Sequence, residues 1–167
     1  LYFNIKNFKA TNELLGVKEG DCILQSFCKS IERSFLHPVY TARVEADHFV
    51  SFVERDRISL KKLEEFCNQT FEIYNKKIRV HSCCGIFYLK DENMPVAGMV
   101  DRAKLAKQHI VDEYLKPYAV FDQKMEMEYI DKAEIAAAFE EAIINEELEV
   151  YYQPIVDPVT GRIMSAE

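Results

Sequence analysis

The order of apolar patterns predicts an α+β protein of the ferredoxin-like type, a mainly antiparallel sheet with helices packed on it. Three observations carry this expectation. Short β-rich runs alternate with amphipathic helices in the order β-α-β-β-α-β-α-β; two of the runs face each other across a polar tip; and the helical stretches each show one apolar stripe.

Leu1 to Lys6 is expected as a strand and 7–19 as a polar connection. Ile23, Leu24, Phe27, Cys28, Ile31 and Phe35 recur at helical spacing, which predicts a helix from Gly20 to Phe35 stopped by Pro38. Val39 to Val44 and Phe49 to Val53 form a hairpin around Glu45-Ala46-Asp47-His48. Ser59 is placed to cap a second helix, whose apolar positions run from Leu60 through Phe66 to Phe71. Ile78 to Leu89 is expected as a long strand, Pro95 opens a third helix, and Tyr118 to Phe121 closes the sheet. A new pattern follows. An Ala-rich helix spans Lys132 to Asn145, Leu148 to Val156 is a strand, 157–161 a turn, and Arg162 to Ala166 a last strand.

Length and composition are those of a folded chain: 167 residues, 49% hydrophobic and 29% charged, with only five Gly and five Pro, excluding collagen-like or low-complexity character. The charge of −7 includes no basic block, which argues against nucleic-acid binding. No apolar run approaches the roughly 20 residues of a membrane span. Leu1-Tyr2-Phe3, followed by Asn4 and Lys6, lacks a signal-peptide pattern. Five cysteines without C-x-x-C or ligand-spaced histidines fit free thiols in a reducing cytoplasm, so a cytoplasmic location is expected.

Phe3-Asn4-Ile5-Lys6-Asn7-Phe8-Lys9, Asn12-Glu13, Gly16 and Gly20-Asp21 resemble the D-x-D-x-F-K…N-D…G-H…G-D run of GGDEF domains, the bacterial diguanylate cyclases. Arg43-Val44-Glu45-Ala46-Asp47-His48-Phe49 falls where that family carries R-x-G-G-D-E-F. Tyr151-Tyr152-Gln153-Pro154, Thr160-Gly161 and Ala166-Glu167 are similar to the start of EAL domains, the cyclic di-GMP phosphodiesterases. The resemblance implies a nucleotidyl cyclase-type sandwich over 1–124, a linker over 125–131 and the opening of an EAL domain over 132–167.

The family's reaction joins two GTP molecules through attack of a ribose hydroxyl on an α-phosphate, which metal ions assist. The resemblance assigns the two metal-holding carboxylates to Asn4, which is neutral, and Asp47. Glu45 and Ala46 replace glycines that let the hairpin approach the nucleotide. A like charge at about 4 Å costs about 4 kcal/mol at an effective dielectric of about 20, so Glu45 disfavours a triphosphate. His48 stands in place of the fourth signature acid. The phosphate-contacting lysine of the third helix falls on Gln108, with Lys107 as a neighbouring substitute. Phe8, Lys9, Asn12 and Asp21 keep the nucleotide-binding positions, and an amide with a carboxylate suits the mixed edge of guanine. The R-x-x-D inhibitory motif would fall at 36–39 and is missing.

Simpler readings stand beside these. Asp47 fits a hairpin tip, Asn12 a turn and Asp21 a helix N-terminus; His37, His81 and His109 fit structural or surface positions. Gln153 and Glu167 match substrate- and metal-contacting positions of EAL domains, whose barrel needs far more chain. The expectation is a catalytically impaired GGDEF domain acting as a regulatory or dimerising module for the EAL domain that follows. The alternatives are an allosteric GTP site, with Mg²⁺ accompanying the nucleotide, and an active cyclase. Expected partners are a second copy, the EAL domain and a guanine nucleotide; nucleic acid and membrane contact are not expected.

Overall fold

The computed structural model describes residues 1–91 and 93–167. Two compact units divide it, Leu1–Met127 and Glu128–Glu167. In the first, β1 (Tyr2–Ile5) is followed by α1 (Phe8–Leu15), α2 (Val17–Glu32), β2 (Tyr40–Glu45), β3 (His48–Phe52), α3 (Leu60–Phe66), β4 (Asn68–Ile73), β5 (Lys76–Ile86), α4 (Val96–Gln108) and β6 (Tyr118–Val120). The sheet order is β2-β3-β1-β5-β4, all antiparallel pairs, and β6 adds parallel to the end of β5. The Ser82 N–H donates to Cys67 O and the Cys84 N–H to Pro117 O. Residues of equal parity bond on one side of a strand, so β4 and β6 follow each other along the same edge of β5.

The predicted fold class is the observed one, with three local differences. Residues 8–15 form α1 instead of a connection; Gly16, at φ 102°, separates α1 from α2. The helix expected to reach Phe71 ends at Phe66, and Asn68–Ile73 pairs with the first half of β5 through a turn in which Tyr74 and Asn75 take positive φ. Sheet pairing has overridden an apolar spacing that fits either structure. Ser59 occupies the position before α3 but its side chain makes no capping bond.

α5 (Gln123–Ile144) starts in the first unit and continues into the second, so 125–131 is helical where a linker was expected. The second unit also holds the antiparallel pair β7 (Pro154–Val156) and β8 (Ile163–Ala166). β7 is shorter than the expected 148–156 strand.

Directly opposed residues of an antiparallel pair share a face, and this sorts the sheet. Phe3, Phe49 and Cys84 face a core made with Phe27, Ile23 and Ile31 of α2 and Leu63 of α3. Phe27 sits at the centre of that core, its ring 5.3 Å from Phe49 and 6.1 Å from Phe3 and from Phe66. Tyr2, Val50 and Gly85 face the other way, toward α4. Here the missing side chain of Gly85 sets the spacing: a Cβ would lie 1.8 Å from Ala103 O and 2.7 Å from Lys107 N.

Phe27→Ala should lower unfolding free energy by about 3–5 kcal/mol, as deletion of a buried aromatic does. Gly85→Ala should also destabilise, by forcing α4 off the sheet. Urea unfolding of both variants checks the expectation.

Candidate functional site

The candidate site lies where β1, the β2–β3 hairpin, β5 and α4 meet. Strand alternation puts Tyr2, Asn4 and Lys6 on the α4 face of β1, and pairing sets Asn4 opposite both His48 and Cys83. Asn4 is 7% exposed. Its Nδ2 donates to Asp47 Oδ2 at 2.8 Å, while the Ile5 N–H donates to Asp47 O at 3.1 Å. The strand end and the hairpin tip are therefore tied directly, side chain to side chain.

The hairpin carries its substitutions visibly. Ala46 holds φ 40°, a region that favours glycine, and its carbonyl accepts a bond of 2.6 Å from Arg43 Nε. Glu45, at a bulge, pairs opposite His48 and so belongs to the face of Asn4. Burial first, then the Glu45 and Asp47 carboxylates, raise the Tyr2 phenol above its ordinary range. The His48 ring lies 5.5 Å from that of Tyr2; its Nε2 is 3.9 Å from Asp47 Oδ1 and its Nδ1 is buried without a hydrogen-bond partner. Phe49 is core.

Lys6 forms an ion pair with Glu113, from the segment after α4. Lys107 is the α4 lysine facing this group; Gln108 is exposed. The reason is helical: Lys107 is four residues after Ala103, on the sheet-facing side. Its ammonium is held below the ordinary lysine range by burial first and by Lys6 second, against the opposing pull of Cys83, Glu113 and Asp47. Lys6 and Lys107 thus stand among three carboxylates, Glu113, Asp47 and the exposed Glu45.

Asp47 is the single anionic oxygen donor among Asn4, Asp47 and His48, and Asn4 presents its NH₂ to it. Hard divalent cations require several oxygen ligands; this donor set, with Lys107 close by, does not fit the two Mg²⁺ ions of a cyclase. Among the described residues no group of three or more His, Cys, Asp or Glu is arranged to hold a metal.

The positions expected to read a base are less convergent. Phe8 is buried at the start of α1, and Lys9 and Asp21 are exposed. Asn12 Oδ1 is buried without a partner, packed over Gly20, where a Cβ would come within 1.8 Å of it. Gln153 and Glu167 lie in the second unit, directly opposed, with backbone bonds of 2.8 and 3.1 Å between them. Sequence reasoning had not singled out Lys6 or Glu113. The signal for Lys6 was its place two residues after Asn4, hence on the same strand face, where the family's run carries a second Asp.

Residues 1–110 match the family described as diguanylate cyclase, GGDEF domain. This chain belongs to the GGDEF domain family. The match with the bifunctional diguanylate cyclase/cyclic di-GMP phosphodiesterase MucR of Pseudomonas aeruginosa is 23% identical and covers 100% of this chain but 25% of the relative. An uncharacterized Synechocystis protein matches at 20% identity over 97% of this chain and 24% of its own length. The chain spans about a quarter of the length of these curated relatives. Among solved structures, an EAL/GGDEF domain protein from M. capsulatus superposes with a TM-score of 0.62 at 20% identity, covering 72% of this chain and 82% of that one. The active GGEEF domain of a Vibrio cholerae diguanylate cyclase gives 0.58 at 16% identity, over 72% and 80%. These likenesses establish the fold. Among the described residues, no helix is long and apolar enough to cross a membrane.

Asn4→Asp should set two carboxylates together and lower the unfolding midpoint at neutral pH, because like charges cannot both ionise cheaply. Millimolar Mn²⁺ should restore it in the variant; thermal melts with and without the ion check this. A second expectation concerns pH. Burial, and then Glu113, push the Cys83 thiol up to about 11, and burial pushes Cys67 up to about 12. Raised folded values mean stability that is present below an ordinary thiol pKa of about 9 and is lost as pH rises through the folded values. Urea midpoints should be level from pH 7 to 8 and fall between about pH 9 and 11.

Proposed function

We propose that this chain is the GGDEF domain of a cyclic di-GMP signalling protein, without diguanylate cyclase activity, acting as a regulatory and dimerising module for an EAL phosphodiesterase that follows it. The observation carrying this reading is the 2.8 Å bond from Asn4 Nδ2 to Asp47 Oδ2. Where a cyclase needs two carboxylates repelling each other until metal ions bind between them, an amide here donates to the remaining carboxylate and satisfies it. Without the ions, the α-phosphate is neither held nor neutralised for attack.

The hairpin adds to the case. Glu45 brings a carboxylate to the same face; it is exposed, so solvent screens part of its repulsion, and its bulk matters as much as its charge. The reading of 132–167 as the opening of an EAL domain, with Gln153 and Glu167 as its substrate and metal positions, is supported by a match that runs through the whole of this chain, and over 25% of the relative, to a protein named as bifunctional. A cytoplasmic location and a homodimer belong to the same proposal.

A second reading is favoured by Lys107, whose ammonium interacts with Asp47 and with Lys6, itself paired to Glu113. In it, GTP binds as a regulatory ligand through charge, with Mg²⁺ arriving on the nucleotide and with Asn12 and Asp21 reading the base.

Purified parent protein incubated with GTP and Mg²⁺ or Mn²⁺ should make no cyclic di-GMP by mass spectrometry; clear synthesis would overturn the leading reading. Calorimetric titration with GTP decides the second: Lys107→Ala should weaken any binding at least tenfold, and no heat at millimolar GTP leaves protein contact as the domain's role.

A further inference from the structure

The outer edge of β2 pairs with no strand among the described residues: β2 ends the sheet and is bonded to β3 alone. The bonding of β3 shows which of its backbone groups are open. Ser51 and Leu1 exchange both bonds, the Ser51 N–H donating to Leu1 O at 3.0 Å and the Leu1 ammonium to Ser51 O at 2.9 Å, and the Ile5 N–H donates to Asp47 O. Odd positions from Asp47 to Ser51 therefore point at β1, and His48, Val50 and Phe52 point at β2. Their partners Tyr40 and Ala42 are bonded inward, so the N–H and C=O groups of Thr41 and Arg43 face outward. The 3.0 Å contact between Thr41 Oγ1 and Ser51 Oγ agrees, because side chains come closest at a pair that exchanges no backbone bonds.

An irregularity bounds this open stretch at each end. The Val39 N–H bonds to Phe52 O, although Phe52 is the partner of Tyr40, and the register shifts again between Arg43 and Glu45. Between these points the edge carries no Lys, no Pro and no inward charge, the devices that keep sheet edges apart. Its one charged side chain, Arg43, is folded back with Nε on Ala46 O. Tyr40 is 61% exposed and Val44 51%, and both share the face of Ala42.

We propose that two copies of this chain pair through this edge, β2 running antiparallel to β2 of the second copy about a two-fold axis at Ala42. Such a contact is isologous, so the strand must complement itself. The outward groups restrict the choice of axis. Centred on Arg43, the pairing opposes two guanidinium groups. Centred on Thr41, it sets Tyr40 against Ala42 and leaves Val44 facing Pro38. Centred on Ala42, Thr41 and Arg43 of the second copy exchange both backbone bonds on each side of the axis, and Tyr40 packs on Val44 of the second copy, twice over. That register covers the exposed apolar side chains and separates the like charges. A second copy fits better than an unrelated extended peptide because one stretch of sequence supplies both halves of the match.

This inference rests on the dimerising part of the reading above and assigns that role to one edge. The strand runs directly into the hairpin tip that carries Glu45, Ala46 and Asp47, so the contact adjoins the candidate site.

The test is analytical ultracentrifugation of the 167-residue chain from micromolar to millimolar concentration, joined to disulfide trapping. The chain should show a monomer–dimer equilibrium. Tyr40→Lys with Val44→Lys sets ammonium groups against each other across the axis and should weaken the dimer at least tenfold. Tyr40→Lys with Val44→Glu sets opposite charges there and should recover most of that loss. Both positions are exposed, so the fold tolerates either pair. With Cys22→Ser and Cys28→Ser as background, Ala42→Cys should oxidise to a covalent dimer, since the Cα atoms of a pair without backbone bonds lie about 4.5 Å apart, within disulfide reach. Arg43→Cys, offset from its own copy by about 7 Å along the strand, should be trapped at least tenfold more slowly. The charge pairs decide alone if Ala42→Cys does not fold. A dimer that both lysine and charge-swapped pairs leave unchanged overturns the edge and leaves the dimerising role standing; a chain that stays monomeric at millimolar concentration overturns both. A charge-swapped pair no tighter than the lysine pair, or Arg43→Cys trapped as fast as Ala42→Cys, overturns the register and the proposal with it.

Discussion

A buried amide must find a partner, and Asn4 finds Asp47. β1 is bonded along both edges, to β3 and to β5, and all four of its residues are buried, so Asn4 has little access to water. A carboxylate at that position would be held just as rigidly and would need a cation to offset Asp47. The amide instead joins the strand to the hairpin tip and leaves Asp47 as the one carboxylate of the pair.

The rest of the site follows from that tie and from one close approach. Gly85 lets the backbone of α4 ride against the sheet, and the helix then delivers Lys107 to the face carrying Asn4, Cys83 and Lys6. With the carboxylate of the first strand gone, the local charge is no longer strongly negative. Lys6 and Lys107 are offset by Glu113 and Asp47, with Glu45 exposed at the hairpin. In the proposed reading, the domain keeps its family's scaffold without the donor set that would hold two ions. The proposed regulatory role rests on that separation of scaffold from chemistry.

Much of this was legible in the residues. The stripe of α2 and the two halves of the β2–β3 hairpin are set by local period, and the fold class follows from their order. What escaped was decided at a distance. Leu63, Phe66, Cys67 and Phe71 fit one helical stripe, yet Asn68–Ile73 is a strand because the first half of β5 offers it a bonding edge. α1 is short and carries Lys9, Thr11, Asn12 and Glu13, so its polarity masked its helicity. At the site, Asn4, Asp47 and the altered hairpin could be placed from motif spacing, and their mutual bond could not. Lys107 was displaced by one residue in the motif comparison, a rotation of about 100° on a helix of 3.6 residues per turn; the spacing from Ala103 points to the residue that faces the sheet.

The central claim is that Asp47 is satisfied by Asn4 and not by a metal ion. Paramagnetic relaxation from Mn²⁺, read at the Asn4 side-chain amide in ¹H–¹⁵N spectra of the chain, addresses it directly. The Asn4 Nδ2 resonances should stay sharp, with a shift characteristic of a bond to carboxylate, as Mn²⁺ is raised to millimolar concentration. Selective broadening of those resonances and of Asp47 and His48 at micromolar Mn²⁺ would place an ion between the strand and the hairpin and contradict the account.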